Sequence, residues 1–141
     1  MSTKLTKFYP NISPVTRPNI SVPTKLDPNW ISGFTAGEGG FSLNLFQPNT
    51  SKERVGYQFR ITQHTRDIKL ITQLKEFFGC GRVVKRSNIN TPRCDYVVQD
   101  IKNIATKIIT HFERYPLQNI KHLDYLDFKQ AINIITNARN I

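Results

Sequence analysis

The sequence predicts an α+β fold in which a four-stranded antiparallel sheet carries its helices on one face. Three observations predict it. Apolar and polar residues alternate along two separate pairs of segments, other segments repeat apolar residues at helical spacing, and glycine and proline fall between them. In order, the elements run αββαββα(α): helix, two strands, helix, two strands and two helices. The 141 residues, 38% of them hydrophobic, suit one packed core rather than two.

Residues 1–26 read as a basic arm or linker. Pro10, Pro14, Pro18 and Pro23 recur among Ser, Thr and Asn, which leaves little to bury and no room for a helix. Lys4, Lys7, Arg17 and Lys25 give the arm charge without an acid. The single domain is placed at 27–141. It opens at Asp27-Pro28, a favoured N-cap followed by a favoured first helical residue. This helix runs through Trp30 and Gly33 to Glu38 and stops at Gly39-Gly40.

Phe41 to Phe46 then alternates, as does Tyr57 to Thr62, and turn residues Gln47 to Ser51 lie between them. A helix follows from Arg66 to Phe78 on the spacing of Ile68, Ile71 and Leu74, ended by Gly79 and Gly81. The second strand pair spans Arg82 to Arg86 and Arg93 to Gln99, with a polar loop around Asn88-Ile89-Asn90. Ile101 to Tyr115 reads as a helix with Ile104, Ile108 and Phe112 on one side, closed by Pro116. A last helix covers about Leu123 to Thr136.

Lys plus Arg number 20 against 10 acids, a formal charge of +10. Such a surplus attracts polyanions, nucleic acid first. No apolar run approaches the roughly 20 residues of a membrane span, so no membrane partner is expected. Cys80 and Cys94 form neither a CxxC motif nor a disulfide framework, and no His/Cys cluster makes them metal ligands.

The first helix is costly by its own composition. Gly33 and Gly37 stand four apart in it, each ~1 kcal/mol worse than Ala. Removing side chains along one stripe lets a second helix approach closely, either inside this domain or from another one. Glu38 sits at the negative end of the helix dipole, where Lys or Arg would be favoured. A residue set against its local preference is a functional candidate. Here it could share a divalent cation with a counterpart across the helix contact, or be a solvated acid.

The run Trp30-Ile31-Ser32-Gly33-Phe34-Thr35-Ala36-Gly37-Glu38-Gly39 resembles the LAGLIDADG motif of homing endonucleases, in the form common in fungal organelles. Phe59 to Thr65 and Phe112 to Leu117 before Lys121 are similar to further family segments, so the resemblance spans about 26 to 136. It implies a saddle-shaped sheet over the DNA major groove and paired motif helices. It also implies Mg²⁺ (or Mn²⁺) held by Glu38, Gln63 near the attacking water and Lys121 near the scissile phosphate. The implied activity is site-specific, Mg-dependent cleavage of both DNA strands. Ala36 stands where many motifs carry a second acid, a place that is not the metal ligand's. With one motif, the chain is expected to pair with a copy of itself or with a second such domain. The resemblance and the abundance of Ile and Asn together suggest an organellar intron gene, hence a mitochondrial protein.

Alternation also assigns the two sides of the sheet. Phe41, Leu43, Leu45, Tyr57, Phe59, Ile61, Tyr96 and Val98 should face the helices. Ser42, Asn44, Gln58, Arg60, Arg82, Arg86, Arg93, Asp95 and Gln99 should face away, as a solvated surface or as base-reading groups. Arg suits guanine, and Asn or Gln suits adenine. Lys52, Lys85 and the arm lysines are phosphate contacts in this reading, and His64 is structural or a phosphate contact. Two rival readings share this basic surface: an intron RNA maturase and a binding relic that no longer cuts.

Overall fold

The computed structural model of the chain describes residues 7–13, 16, 25–46, 54–86 and 90–138. Helix α1 is Pro28–Glu38, capped by the Asp27 carboxylate, which accepts from the backbone of Asn29 at 2.8 Å and Trp30 at 3.3 Å. Strands β1 (Gly39–Phe46) and β2 (Arg54–His64) follow, then helix α2 (Ile68–Phe78), strands β3 (Arg82–Arg86) and β4 (Arg93–Val98), and helices α3 (101–114) and α4 (Lys121–Ala138). The expected order is thus present. The first two strands are longer than alternation suggested, because pairing begins at Gly39 and runs to His64. A 3₁₀ turn at Thr65–Asp67 leads into α2, which starts two residues later than expected, and α4 extends past both expected ends. The expected turn 47–51, Lys52, and most of the loop around Asn88 lie outside the described residues, as do the side chains of Leu45 and Phe46.

The sheet is antiparallel throughout, in the order β1-β2-β4-β3. The strand β2 sits centrally between β1 and β4, so its residues are covered from both sides. Phe59 and Ile61 are fully buried, as are Cys94 and Tyr96 on β4. Phe41 is the hub of the core. Its ring lies 5.2 to 5.5 Å from those of Phe59, Phe112, Tyr125 and Phe128, joining β1 and β2 to α3 and α4. These tilted and edge contacts add to the area the rings bury. Leu43 stands on the same side but is 41% exposed, since the helical cover gives out at that end of β1.

Two details position the helices. Gly79 closes α2 in the left-handed conformation at φ 68°, with its N–H on the carbonyl of Lys75. Within α3 the chain widens into a π turn at Ile104–Ile108, which lets both Ile108 and Ile109 turn inward. Burial pushes the thiol of Cys94 above its ordinary range, so it is an inert core group. Both cysteines are free. Among the described residues no helix is long and apolar enough to cross a membrane.

Candidate nucleic-acid interface and helix-end carboxylate

The helix α1 divides cleanly into an inner and an outer side. Ile31, Ser32 and Thr35 are buried. Ser32 Oγ donates to the carbonyl of Tyr115 at 2.6 Å and lies 3.1 Å from His111 Nε2. A hydroxyl has one proton, so the histidine must supply the proton of the second bond, which fixes the Nε2–H tautomer. His111 is ringed by Phe77, Phe78, Phe112 and Tyr115, and burial lowers its pKa to about 4. It is a neutral clasp between α1 and α3.

The outer side of α1 is open. A Cβ built on Gly33 or Gly37 meets nothing within 4 Å. Trp30 continues this side, 42% exposed and stacked on Phe34 with ring centroids 4.8 Å apart. The glycine stripe therefore does not serve packing among the described residues of this domain. An exposed indole beside two bare backbone turns is a surface shaped for close contact.

Glu38 ends α1 and is exposed, with no hydrogen bond or ion pair to any described residue. The dipole that disfavours it is answered from α4 and the segment before it. Lys121 Nζ donates to the carbonyl of Thr35 at 3.4 Å, and Asn119 Nδ2 donates to that of Ala36 at 2.9 Å. Asn119 also accepts from the backbone N–H of Lys121 at 3.1 Å, so it aligns the start of α4 on the end of α1. Asn119 was not singled out by sequence, because its role needs contact across 83 residues. Gly39 follows Glu38 directly. A Cβ there would come within 2.8 Å of Thr35 Cγ2 and 3.2 Å of Ile61 Cγ1, so only glycine lets the helix end this close to β2. Gln63 lies one pleat beyond Ile61, the register partner of Gly39, and on the same side of the sheet. The structure thus sets Lys121 on the last turn of α1 and Gln63 beyond it on β2.

A metal ion at Glu38 would find one carboxylate here. Among the described residues no three His, Cys, Asp or Glu side chains gather to hold a cation. One carboxylate is compatible with Mg²⁺, which takes one or two protein carboxylates and fills its shell with phosphate and water. It does not suit a closed, all-protein site.

The expected outward residues do share one side of the sheet. Ser42 opposes Gln58, while on β4 Val97 lies between Arg60 and Arg82, Asp95 between Thr62 and Val84, and Arg93 between His64 and Arg86. Asn44, Arg82, Arg86, Arg93 and Gln99 are exposed, whereas Ser42, Gln58 and Arg60 are half-buried. Asp95 departs from the expectation: it is on the outward side but fully buried, because Arg60 and Arg86 close over it. Val97 is also covered on this side, and Val84 is half-buried there. Alternation assigns a side but does not show what lies across it. Arg82, Gln99 and Gln58 form a second chain, with bonds of 2.7 Å and 3.1 Å. His64, expected to be structural or a phosphate contact, caps the turn after β2 by accepting from Arg66 N at 3.1 Å.

Comparison with known proteins bears on this geometry. The profile of the family described as LAGLIDADG endonuclease matches residues 31–132. A probable intron-encoded endonuclease 2 of Neurospora crassa is 31% identical over 100% of this chain and 32% of its own length. An uncharacterized protein in ND4 intron 1 of Podospora anserina is 35% identical over 99% of this chain and 32% of its own. Among solved structures, I-SmaMI bound to an uncleaved DNA target in the presence of calcium ions superposes with TM-score 0.86 and 33% identity. It does so over 99% of this chain and 47% of that one. The chain therefore spans about a third of these curated relatives and about half of the solved neighbour.

Proposed function

The chain belongs to the LAGLIDADG endonuclease family, and on that premise we propose that it is half of a site-specific, double-strand DNA endonuclease. It pairs through the open side of α1 with a second copy or with another domain of the same kind. The observation that carries this reading is the juxtaposition of a bare glycine stripe with a carboxylate, at the end of the same helix, that has no partner among the described residues. Two such helices packed along Gly33 and Gly37 bring two Glu38 carboxylates together at one end. The match to about half of a DNA-bound structure supports a half-enzyme. The relatives from fungal introns support an intron-encoded, mitochondrial protein.

Glu38 and its counterpart would hold Mg²⁺ (or Mn²⁺), which when bound supplies Lewis-acid stabilisation of the attacking and leaving oxygens. The chain's own side chains do the rest. The outward arginines and amides of the sheet lie in the major groove and read base edges. Gln63 orients the attacking water by hydrogen bonding. Lys121 offers an ammonium group to the charge that builds on the phosphate. Its tether to the Thr35 carbonyl holds that charge at the last turn of α1 before DNA arrives.

The test is incubation with a duplex carrying the intronless form of the host gene, with product ends mapped. Parent protein should cut both strands with Mg²⁺ and not with a chelator. Glu38→Gln should still retard the duplex in a gel, yet cut at least ~100-fold more slowly, the scale of losing a group that stabilises the transition state. Cleavage by Glu38→Gln at the parental rate would overturn the assignment. Binding of intron RNA in preference to the duplex would overturn the substrate.

A further inference from the structure

We propose that Asp95 is a positioning residue for sequence recognition, clamping Arg60 and Arg86 so that their free edges point from the sheet in fixed directions. This rests on the outer face being the DNA-contacting one. The Asp95 side chain is wholly shielded from solvent. Oδ2 lies 2.8 Å from Arg60 Nη1 and 3.0 Å from Arg86 Nε, ion pairs whose angles are too bent for aligned hydrogen bonds. Oδ1 accepts from Arg86 Nη2 at 3.1 Å and from Thr62 Oγ1 at 2.5 Å. The carboxylate thus lies along the Nε and Nη2 side of Arg86, hydrogen-bonded to Nη2 and ion-paired beside Nε. The end fork, Nη1 with the second proton of Nη2, is left over, and it is the edge that bonds guanine O6 and N7. Arg60 gives up only Nη1.

The arrangement has no use in the hydrophobic core. It lies on the far side of the sheet from the helices, where a buried acid costs desolvation that its partners must offset. Two arginine side chains, 36% and 42% exposed, gain direction from it. An unclamped arginine on a basic surface swings to the nearest phosphate, which gives affinity without sequence information. A clamped one has its side-chain entropy already spent and meets the base edge in one geometry. Arg82, bonded to Gln99 and through it to Gln58, is a third outward arginine tied to its neighbours.

The experiment is selection from a pool of duplexes with a randomised central segment, beside binding to sheared genomic duplex. Parent protein should recover guanine at the positions that Arg60→Ala and Arg86→Ala each blank. Asp95→Asn should lose about tenfold of the preference at those positions and keep the preferences set elsewhere. Its affinity for the sheared duplex should rise about twofold with a steeper salt dependence, because two arginines are freed for phosphate. If Asp95→Asn does not fold, Thr62→Val removes one bond to the carboxylate and should give a smaller loss at the same positions. A role confined to stability would weaken all sequences alike and leave every preference in place, which would overturn the proposal. Should the parent recover no preferred sequence, the base-reading face itself fails and the clamp with it.

Discussion

His111 Nε2 and Ser32 Oγ meet at 3.1 Å across 79 residues of sequence, and the contact decides which side of α1 the domain keeps for itself. With Ser32 turned inward, helical geometry sends Gly33 and Gly37 outward. Ile31 and Thr35 bury beside Ser32 on the flank away from the glycines, so no rotation of α1 could hide the glycines without exposing an isoleucine. The domain spends its own packing on one side and leaves the other bare.

This separation predicts different effects of two substitutions at one position. Gly37→Ala adds a methyl group that meets nothing in the domain and improves helix propensity by ~1 kcal/mol. The melting temperature of the monomer should rise by about 3 °C. Gly37→Leu should keep the fold and lose pairing, read as a monomer by sedimentation velocity where the parent pairs. A Gly37→Leu protein that pairs as the parent does would rule out this side of α1 as the seam.

Acid should loosen the same clasp. His111 has a pKa of about 4 in the fold, against 6.5 ordinarily, because it is buried among rings. Its folded value is depressed, so below pH 6.5 the unfolded chain takes up the proton more readily. The stabilisation is whole above that pH and drains as pH falls toward 4, by up to about 3 kcal/mol. Urea melts of parent and His111→Gln, which keeps an N–H for Ser32, should converge as pH falls across this window. A constant stability gap between the two proteins from pH 7 to 4 would show that the fold does not lower the pKa of His111.

Much of this was legible in sequence, for identifiable reasons. Alternation along Phe41 to Phe46 and Tyr57 to Thr62 gave the strands because side chains flip faces at every residue. Asp27-Pro28 gave the start of α1 because capping is local chemistry. The two glycines of α1 signalled a helix contact, but whether it lay within the domain depended on where Ser32 pointed. That in turn depended on His111 and Tyr115, far along the chain. Asp95 read as a groove-facing residue because period two reports the side of a sheet, not the long side chains folded across it. The bonds from Asn119 and Lys121 to the end of α1 were invisible for the same reason. They join elements that no local pattern brings together.

Gly39 ties the helix end to the sheet and should be the least replaceable glycine of the motif. Its backbone is extended, at φ −101° and ψ 176°, so no residue is excluded by conformation. The exclusion is steric. An added Cβ would lie 2.8 Å from Thr35 Cγ2, 3.1 Å from the Thr35 carbonyl oxygen and 3.2 Å from Ile61 Cγ1. Thr35 is fixed by its own bond to the Ile31 carbonyl at 2.8 Å, and Ile61 is fully buried, so neither yields freely. Relief must come from moving the end of α1 off β2, and Glu38 moves with it. Gly39→Ala should therefore cost about 1–3 kcal/mol of stability, the range for overpacking. It should also slow cleavage more than binding, because the sheet face is untouched while the carboxylate is displaced. Gly40→Ala, where a Cβ meets nothing within 4 Å, is the matched control and should do neither. Equal losses from the two alanines, in urea melts and in the cleavage assay, would show that glycine serves at position 39 only to end the helix.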